Sequence, residues 1–175
     1  GTMDVNGDLV VTAAGGFFGG TIAVAGDVSS ADAAVQGSTV ILLDGAGNQS
    51  LASTAASGVG RLSNVAIDKS GGTLSVGDIA VYGNWTYSAG MVNAAGGTVL
   101  FNGGTSSAIS AGAMSFDNVR FDKGVHHTSV AGTMDVNGNL FIASATNIDG
   151  GTIAVAGNVT STDSSVSGNA ALRLD

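Results

Sequence analysis

A long internal repeat constrains this 175-residue chain more than any other feature of its sequence. Residues 1–44 align without a gap with residues 132–175, at a spacing of 131 positions, and 24 of these 44 pairs are identical. The chain starts on a residue other than Met, inside one repeat, and stops inside the next. We therefore expect residues 1–131 to form one full period of a longer array and residues 132–175 to start the next period, with no linker between them.

Shorter periods lie inside the long one. Leu62–Lys69 (LSNVAIDK) matches Phe116–Lys123 (FDNVRFDK) at a spacing of 54 positions. A smaller motif, in which Gly or Ser precedes Thr and alternating apolar residues, returns at spacings as short as 18 or 19 positions. Similarity at fixed short periods is typical of solenoid proteins, in which each repeat packs only on its neighbours.

The smaller motif has the two-residue period of a β-strand with one buried face, as in Met3/Val5 and Ile22/Val24. Many of these segments end in Gly followed by Asp or Asn, and because Gly and Asn tolerate a positive φ, we expect these pairs to turn the chain sharply. The pattern predicts an all-β fold, a parallel and right-handed β-helix (β-solenoid) with roughly 18–25 residues per coil and about nine coils. A β-sandwich with Ig-like repeats is the alternative, but such repeats run to ~100 residues, far above the periods seen here.

The alternation also assigns side chains to the core. Trp85 aligns with Leu140 and with apolar residues of other repeats, so it is expected to point inward. The same prediction holds for one apolar residue in each of six strands: Val5, Val24, Val76, Phe101, Val136 and Val155.

Composition narrows the classes of function. The formal net charge is −8, and a protein that binds nucleic acid would instead neutralise phosphates with Lys and Arg. The absence of cysteine removes disulfides, thiolate metal sites and cysteine catalysis. No apolar run approaches the ~20 residues of a membrane-spanning helix.

Few residues suggest chemistry. Asp4, Asn6 and Asp8 place alternate oxygen ligands as in a calcium loop, and calcium is the one cofactor that the sequence suggests. The expected Glu is missing, because the chain contains no Glu, and the repeat copy has Asn139 in place of Asp8. Alternation on a strand also favours a plain polar ladder on the solvent face at these three positions.

Two other polar groups have structural interpretations. His126 and His127 are adjacent, so on a strand they would point to opposite faces, and we expect them in a surface loop rather than at a metal. The recurring Asp68-Lys69 and Asp122-Lys123 are expected to be stacked or turn-adjacent polar positions. No two carboxylates have the spacing of a glycosidase pair, so the chain is not expected to be an enzyme.

Phe17 and Phe18 lie in a Gly-flanked turn and align with Ile148 and Asp149 in the repeat copy. Both residues are apolar in the first copy, whereas the second copy has one apolar and one charged residue. This difference indicates a partly exposed, locally specialised turn. We expect Phe17 and Phe18 to form a lateral contact, with simple partial burial as the alternative.

Several segments carry a resemblance to known proteins, among them Thr98–Gly104 (TVLFNGG), Phe116–Lys123 and Val81–Thr86 (VYGNWT). Nearly the whole chain resembles the repeats of large bacterial surface proteins: autotransporter-like and filamentous-haemagglutinin-like β-helical adhesins, and repetitive filament proteins of bacterial envelopes. The resemblance implies secretion and an extracellular or cell-surface location. Its motifs belong to a fold rather than to an activity, so it transfers no functional residues.

Three functions remain open. The first is a non-enzymatic segment of a secreted fibre, stalk or surface filament that assembles with itself head to tail, because the two ends of the chain belong to one repeat family. The second is an adhesin passenger segment that binds glycans or neighbouring cells through its lateral face. The third is a β-helical enzyme acting on polysaccharide, which would need carboxylates clustered by the fold.

Overall fold

The computed structural model describes residues 1–94, 96–145 and 147–175. Within these residues the chain forms 23 β-strands and no helix, and every pair of neighbouring strands is parallel. The strands stack as a β-solenoid of about 9 turns, which confirms the predicted all-β fold with parallel, stacked strands. The length of the coils is also as predicted: Leu74 pairs with Gln49, 25 positions before it, and with Val92, 18 positions after it.

Each coil visits three faces in turn, and strands of successive coils stack on each face. The first face consists of β1 (Thr2–Val5), β4 (Thr21–Val24), β7 (Val40–Leu43), the first part of β10 (Asn64–Val76), the first part of β12 (Trp85–Asn93), β14 (Ser107–Ser110), β17 (Thr128–Ala131) and β20 (Ile148–Asp149).

The second face starts with three short strands, continues through the last parts of β10 and β12, and ends in a four-stranded sheet. Its other strands are β2 (Leu9–Val11), β5 (Val28–Ser30), β8 (Gln49–Ser53), β15 (Ser115–Phe116), β18 (Thr133–Val136), β21 (Thr152–Val155) and β23 (Ala171–Leu174).

The third face completes each coil before the chain returns to the first face. Its strands are β3 (Gly16–Phe17), β6 (Gln36–Gly37), β9 (Arg61–Leu62), β11 (Ile79–Val81), β13 (Thr98–Asn102), β16 (Asn118–Asp122), β19 (Leu140–Ser144) and β22 (Val159–Ser161).

The core is a set of apolar columns between the three faces. All six residues assigned to it from the sequence contact it, and five are buried, whereas Val5 is half-buried because it lies in the first coil. Trp85 is fully buried, as predicted. Its ring packs on Phe101 and Phe116, with centroids 6.4 and 5.4 Å away, and Phe121 extends this aromatic cluster by stacking on Phe101.

The two copies of the long repeat occupy different faces. Residues 2–5 form β1 on the first face, whereas their counterparts, residues 133–136, form β18 on the second. The chain passes from β17 to β18 across Gly132 alone. A period of 131 residues therefore spans six coils and one further face. The same local sequence therefore forms a strand on the first face and on the second.

The Gly-Asx corners work differently from the expectation. None of the glycines at positions 7, 26, 77, 83, 138 and 157 has a positive φ, so the expected conformation is wrong. Instead, the side-chain Oδ1 of one coil accepts a hydrogen bond from the backbone of the next: Asn139 N donates to Asn118 Oδ1 at 2.9 Å. A Cβ on Gly138 would lie 2.6 Å from that same Oδ1. Glycine is needed here because it leaves room for the side chain of the coil below.

Candidate functional site

The ends of the rod expose strand edges. Among the described residues, β1 pairs only with β4, β22 only with β19, and β23 only with β21. Each of these strands therefore presents one row of backbone N–H and C=O groups without a neighbouring strand. Such a row is a template on which another parallel strand can pair.

The ends also expose the apolar core. Met3 pairs with the buried Ile22 at one end, and Leu172 and Leu174 pair with the buried Ile153 and Val155 at the other. These side chains continue the core columns, and they are exposed because no coil covers them. Of the seven large apolar side chains exposed among the described residues, five lie in the first coil or the last strand: Met3, Val10, Phe18, Leu172 and Leu174.

Phe17 and Phe18, the two residues of the predicted lateral contact, differ in burial. Phe17 is half-buried and packs against the core, whereas Phe18 is 77% exposed. Together with Met3, they line a shallow depression of about 410 Å³ at the corner between the third and first faces. The turn therefore belongs to the N-terminal end of the rod as much as to its side, and whether it contacts a partner stays a prediction.

The three calcium candidates lie in the first coil. Asp4, Asn6 and Asp8 are all exposed. Asp8 Oδ1 accepts a hydrogen bond from Asp27 N at 2.8 Å, so this carboxylate belongs to a corner ladder. Within the described residues, no group of three or more His, Cys, Asp or Glu lies close enough together to hold a metal ion.

His126 and His127 lie in the turn between β16 and β17, at the surface. His126 N donates to Lys123 O at 3.1 Å, and His127 Nδ1 lies 3.9 Å from Asp149 Oδ2. His126 is therefore bonded through its backbone, whereas the His127 ring lies near a carboxylate.

The lysine side chains of the recurring Asp-Lys pairs differ in burial from what the sequence led us to expect. Lys69 and Lys123 are both buried at corners of the rod, so the expectation of plain polar positions missed their burial. Lys69 Nζ donates to Gly45 O at 2.6 Å, Gly47 O at 2.9 Å and Gln49 Oε1 at 2.6 Å. All three donors of its ammonium group are satisfied. Burial lowers the pKa of Lys69, and the charge of Asp44 opposes that shift.

Lys123 is buried with fewer partners. It is 2% exposed, and among the described residues its Nζ donates only to Tyr82 O, at 3.0 Å. Burial, together with the positive charge of the nearby Arg61 guanidinium, lowers the pKa of Lys123 to about 8. Arg61 is fixed against the same corner, because its Nε donates to Val35 O and its Cζ lies 5.2 Å from the centre of the Tyr82 ring.

Three further buried polar atoms lack a hydrogen-bond partner in the described part of the chain. They belong to residues that are close to Lys123 in the sequence and lie on strands that stack on one another. Asn102 Oδ1, Ser107 Oγ and Thr128 Oγ1 are buried and make no hydrogen bond among the described residues. Ser107 and Thr128 are directly paired on the first face, and Asn102 is paired with Asp122, the neighbour of Lys123. Unsatisfied buried groups weaken a fold. This corner is therefore the least well-satisfied part of the interior.

A lateral groove of about 490 Å³ opens on the second face, between the end of β12 and the turn before β15. The half-buried ring of Tyr87 and the exposed Met91 line it, as do Asp117 and Asn137. Tyr87 Oη donates to Gly90 O at 2.7 Å, which fixes the ring. The groove thus combines an aromatic surface with carboxylate and amide groups, and sequence patterns gave no sign of it because its lining residues come together only in the fold.

These observations define the class of protein as a parallel β-solenoid. Comparison with models of protein families, with curated proteins and with solved structures finds no match to the chain. The described part of the chain contains no helix long and apolar enough to cross a membrane.

Proposed function

We propose that this chain is a structural, non-enzymatic segment of an extracellular bacterial fibre, stalk or surface filament, extended by head-to-tail stacking of β-solenoid coils. The observation that carries the proposal is the regular stack of parallel coils, in which strands of one repeat family form on the first face and again on the second. A further coil of the same family can pair with the strand edges of the coil below it and cover its apolar columns.

The two ends are complementary rather than alike. Because all strands are parallel and every coil climbs in the same direction, one end can only accept the other. Contact between two different surfaces of the same molecule is heterologous, and such contacts build open filaments rather than closed rings. In the purified chain, the next coil comes from a second copy.

Electron microscopy and sedimentation of the purified chain test this proposal. Unbranched fibres should form as the concentration rises. Leu174→Asp should prevent them, because it places a charge at the open end of the column formed by Val136, Val155 and Leu174. Met91→Asp is the matched control, since both side chains are 69% exposed but Met91 lies on the lateral surface. A wild-type chain that stays monomeric at high concentration would overturn the proposal.

A second candidate function is glycan binding, and the lateral groove favours it. Sugar rings stack on aromatic faces, and their hydroxyl groups hydrogen-bond to carboxylates and amides, which are the groups that Tyr87, Asp117 and Asn137 supply. A panel of soluble oligosaccharides, measured by calorimetry, tests this function. Met91→Lys should lower the affinity, whereas Val125→Lys, on an exposed side chain outside the groove, should leave it unchanged. A panel without any binding would argue against this candidate.

A further inference from the structure

The sheet of the second face is interrupted in the middle of the rod, several coils from either end. Its lower part continues to the end of β12, where Met91 and Val92 pair with β10 in the coil below. Its upper part starts again at β15, whose Ser115 and Phe116 pair with β18 in the coil above. Among the described residues, no strand pair joins the end of β12 to β15.

The interruption follows from a difference in length between two neighbouring coils. Thr86 pairs with Ser110 on the first face, and Thr98 pairs with Asn118 on the third. Between these two pairs the lower coil takes 12 positions, from 86 to 98, whereas the upper coil takes eight, from 110 to 118. Because the two coils are in register on both faces, the extra residues of the lower coil extend beyond the upper coil on the second face.

Residues 88–93 of β12 therefore form an open strand edge, with β10 below and, within the described residues, no strand above. Val92 pairs with the fully buried Leu74 but is itself only half-buried, because the coil above does not cover it. Met91 is 69% exposed. The segment contains no charged residue and no proline, which are the residues that usually protect an exposed edge from pairing.

The lateral groove of about 490 Å³ lies along this open edge. Residues 90–94 line one side of it, and residues 113–117 of the next coil line the other. A strand of a second rod is stacked between neighbours of its own, so it cannot enter a groove between two coils. A single flexible segment in extended conformation can enter, because it brings no neighbouring strands with it.

We propose that this groove binds an extended, basic peptide segment of a partner protein, which pairs with residues 88–93 as an added strand. The inference goes beyond the proposed function, because it concerns the side of the rod and does not depend on fibre formation. Six residues of strand extend over ~20 Å and present N–H and C=O groups at a spacing that a peptide backbone matches and a sugar does not. The added strand also covers Met91 and Val92.

Charge determines the class of peptide. The formal net charge of the chain is −8, and Asp117 is the one charged residue among those that line the groove. Its position is fixed, because Asp117 Oδ2 accepts hydrogen bonds from Gly96 N at 2.7 Å and from Asn118 Nδ2 at 3.0 Å. A lysine or arginine in the peptide is attracted to this carboxylate, whereas an acidic peptide is repelled.

Fluorescence anisotropy with labelled peptides tests the proposal. The probe is a peptide of alternating valine and threonine, as long as the open edge, with a lysine at each end. It should bind the chain, and more weakly as the salt concentration rises. The same peptide with glutamate at its ends should bind less well. Two further versions carry N-methyl groups on either the odd or the even residues. One of them should lose binding, because only one edge of the peptide pairs with residues 88–93.

Two variants locate the site. Ala113→Trp fills the groove and should lower the affinity for the lysine peptide by about tenfold or more. Ala56→Trp is the matched control, because Ala56 is also an exposed alanine but lies outside the groove, and its affinity should equal that of wild type. Hydrogen exchange at the amides of residues 88–93 should slow when the peptide binds, which reports the new strand pair directly.

Absence of peptide binding, equal binding of the two methylated peptides, or equal affinity in Ala113→Trp and wild type would overturn the proposal. If oligosaccharides bind and Ala113→Trp prevents their binding, while the peptides do not bind, the groove is a glycan site instead. None of these outcomes bears on fibre formation, so the proposed function is tested separately.

Discussion

Asp32 and Asp163 stand 131 positions apart, at different corners of the rod, and make the same hydrogen bonds. Asp32 Oδ2 accepts from Ala14 N at 2.8 Å, and Asp163 Oδ2 accepts from Ala145 N at 3.1 Å. The Oδ1 atom of each accepts from the backbone two residues on, at 2.7 and 2.8 Å. The two copies of the repeat therefore form the same local hydrogen-bond pattern, although they lie at different corners of the rod.

These two aspartates should make the fold sensitive to acid. Backbone hydrogen bonds from Ala14, Ala34 and Gly15 lower the pKa of Asp32 below its ordinary value of 3.8. A carboxyl group with a lowered pKa stabilises the fold above the pKa of the unfolded chain, and this contribution is lost as the pH falls through the folded value. Stability should therefore fall below pH ~4.

Asp32→Asn should destabilise the protein at neutral pH and flatten the acid transition, because an amide NH₂ cannot accept the N–H groups that the second oxygen holds. Urea unfolding between pH 2 and 7 measures both effects. Asp163→Asn should behave similarly, since hydrogen bonds from Ser165 and Ala145 lower the pKa of Asp163. Asp4→Asn, at an exposed position on β1, is the control. Equal unfolding curves for Asp32→Asn and Asp4→Asn would contradict the prediction.

A second prediction concerns the glycines at the corners. A Cβ on Gly83 would overlap Asn64 Oδ1, which accepts a hydrogen bond from Asn84 N at 2.7 Å. Gly83→Ala should therefore lower the free energy of unfolding by roughly 1–3 kcal/mol. Gly7→Ala is the control, because a Cβ there meets no atom within 4 Å and the backbone φ is not positive. It should change stability by less than about 1 kcal/mol.

A double-mutant cycle identifies the cause of the Gly83 effect. Asn64→Ala alone should also destabilise, because it removes the bonds of Asn64 to Asn84 N and to Thr39 O. In Asn64→Ala/Gly83→Ala the overlap no longer exists. The loss of stability in this double variant should therefore be smaller than the sum of the two single losses by about 1 kcal/mol or more. Additive losses would show that Gly83 is required for another reason.

The sequence predicted which side chains of a strand point into the core, but it could not predict on which face of the rod a strand lies. Val24 and Trp85 were assigned to the core because a two-residue period distinguishes inside from outside. That period does not say on which face a strand lies. The face is determined by the lengths of the corners, which vary between coils, and so the shift of residues 133–136 to the second face is visible only in the structure.

Buried polar groups were unpredictable for a different reason. A lysine in a turn is normally solvated, so burial of Lys69 depends on whether carbonyl groups of another coil reach its ammonium group. Those carbonyls belong to Gly45 and Gly47, more than 20 positions away, and Gln49 completes the set. Recurrence of the Asp-Lys pair at a spacing of 54 was the available signal. It indicated a shared role without showing that the role is internal.

The two buried lysines should respond in opposite ways to substitution. Lys69→Met should lower the free energy of unfolding by about 2 kcal/mol or more at pH 7, because it removes the Lys69 donor from the carbonyl groups of Gly45 and Gly47 and leaves Gln49 Oε1 with Gly45 N as its donor. Lys123→Met should be neutral or stabilising, since it removes a buried charge that has one hydrogen bond and replaces it with an apolar chain of similar length.

The lowered pKa of Lys123 predicts that the protein becomes more stable at alkaline pH. The pKa of Lys123 is about 8 in the folded protein and 10.5 in the ordinary case, so between these values the unfolded chain binds more protons. The free energy of unfolding should therefore rise from pH 8 to 10.5, and the gain is lost as the pH falls through 8. Urea titrations at pH 7 and 10 should show a smaller rise in Lys123→Met than in wild type. An equal rise in both proteins would contradict the assignment.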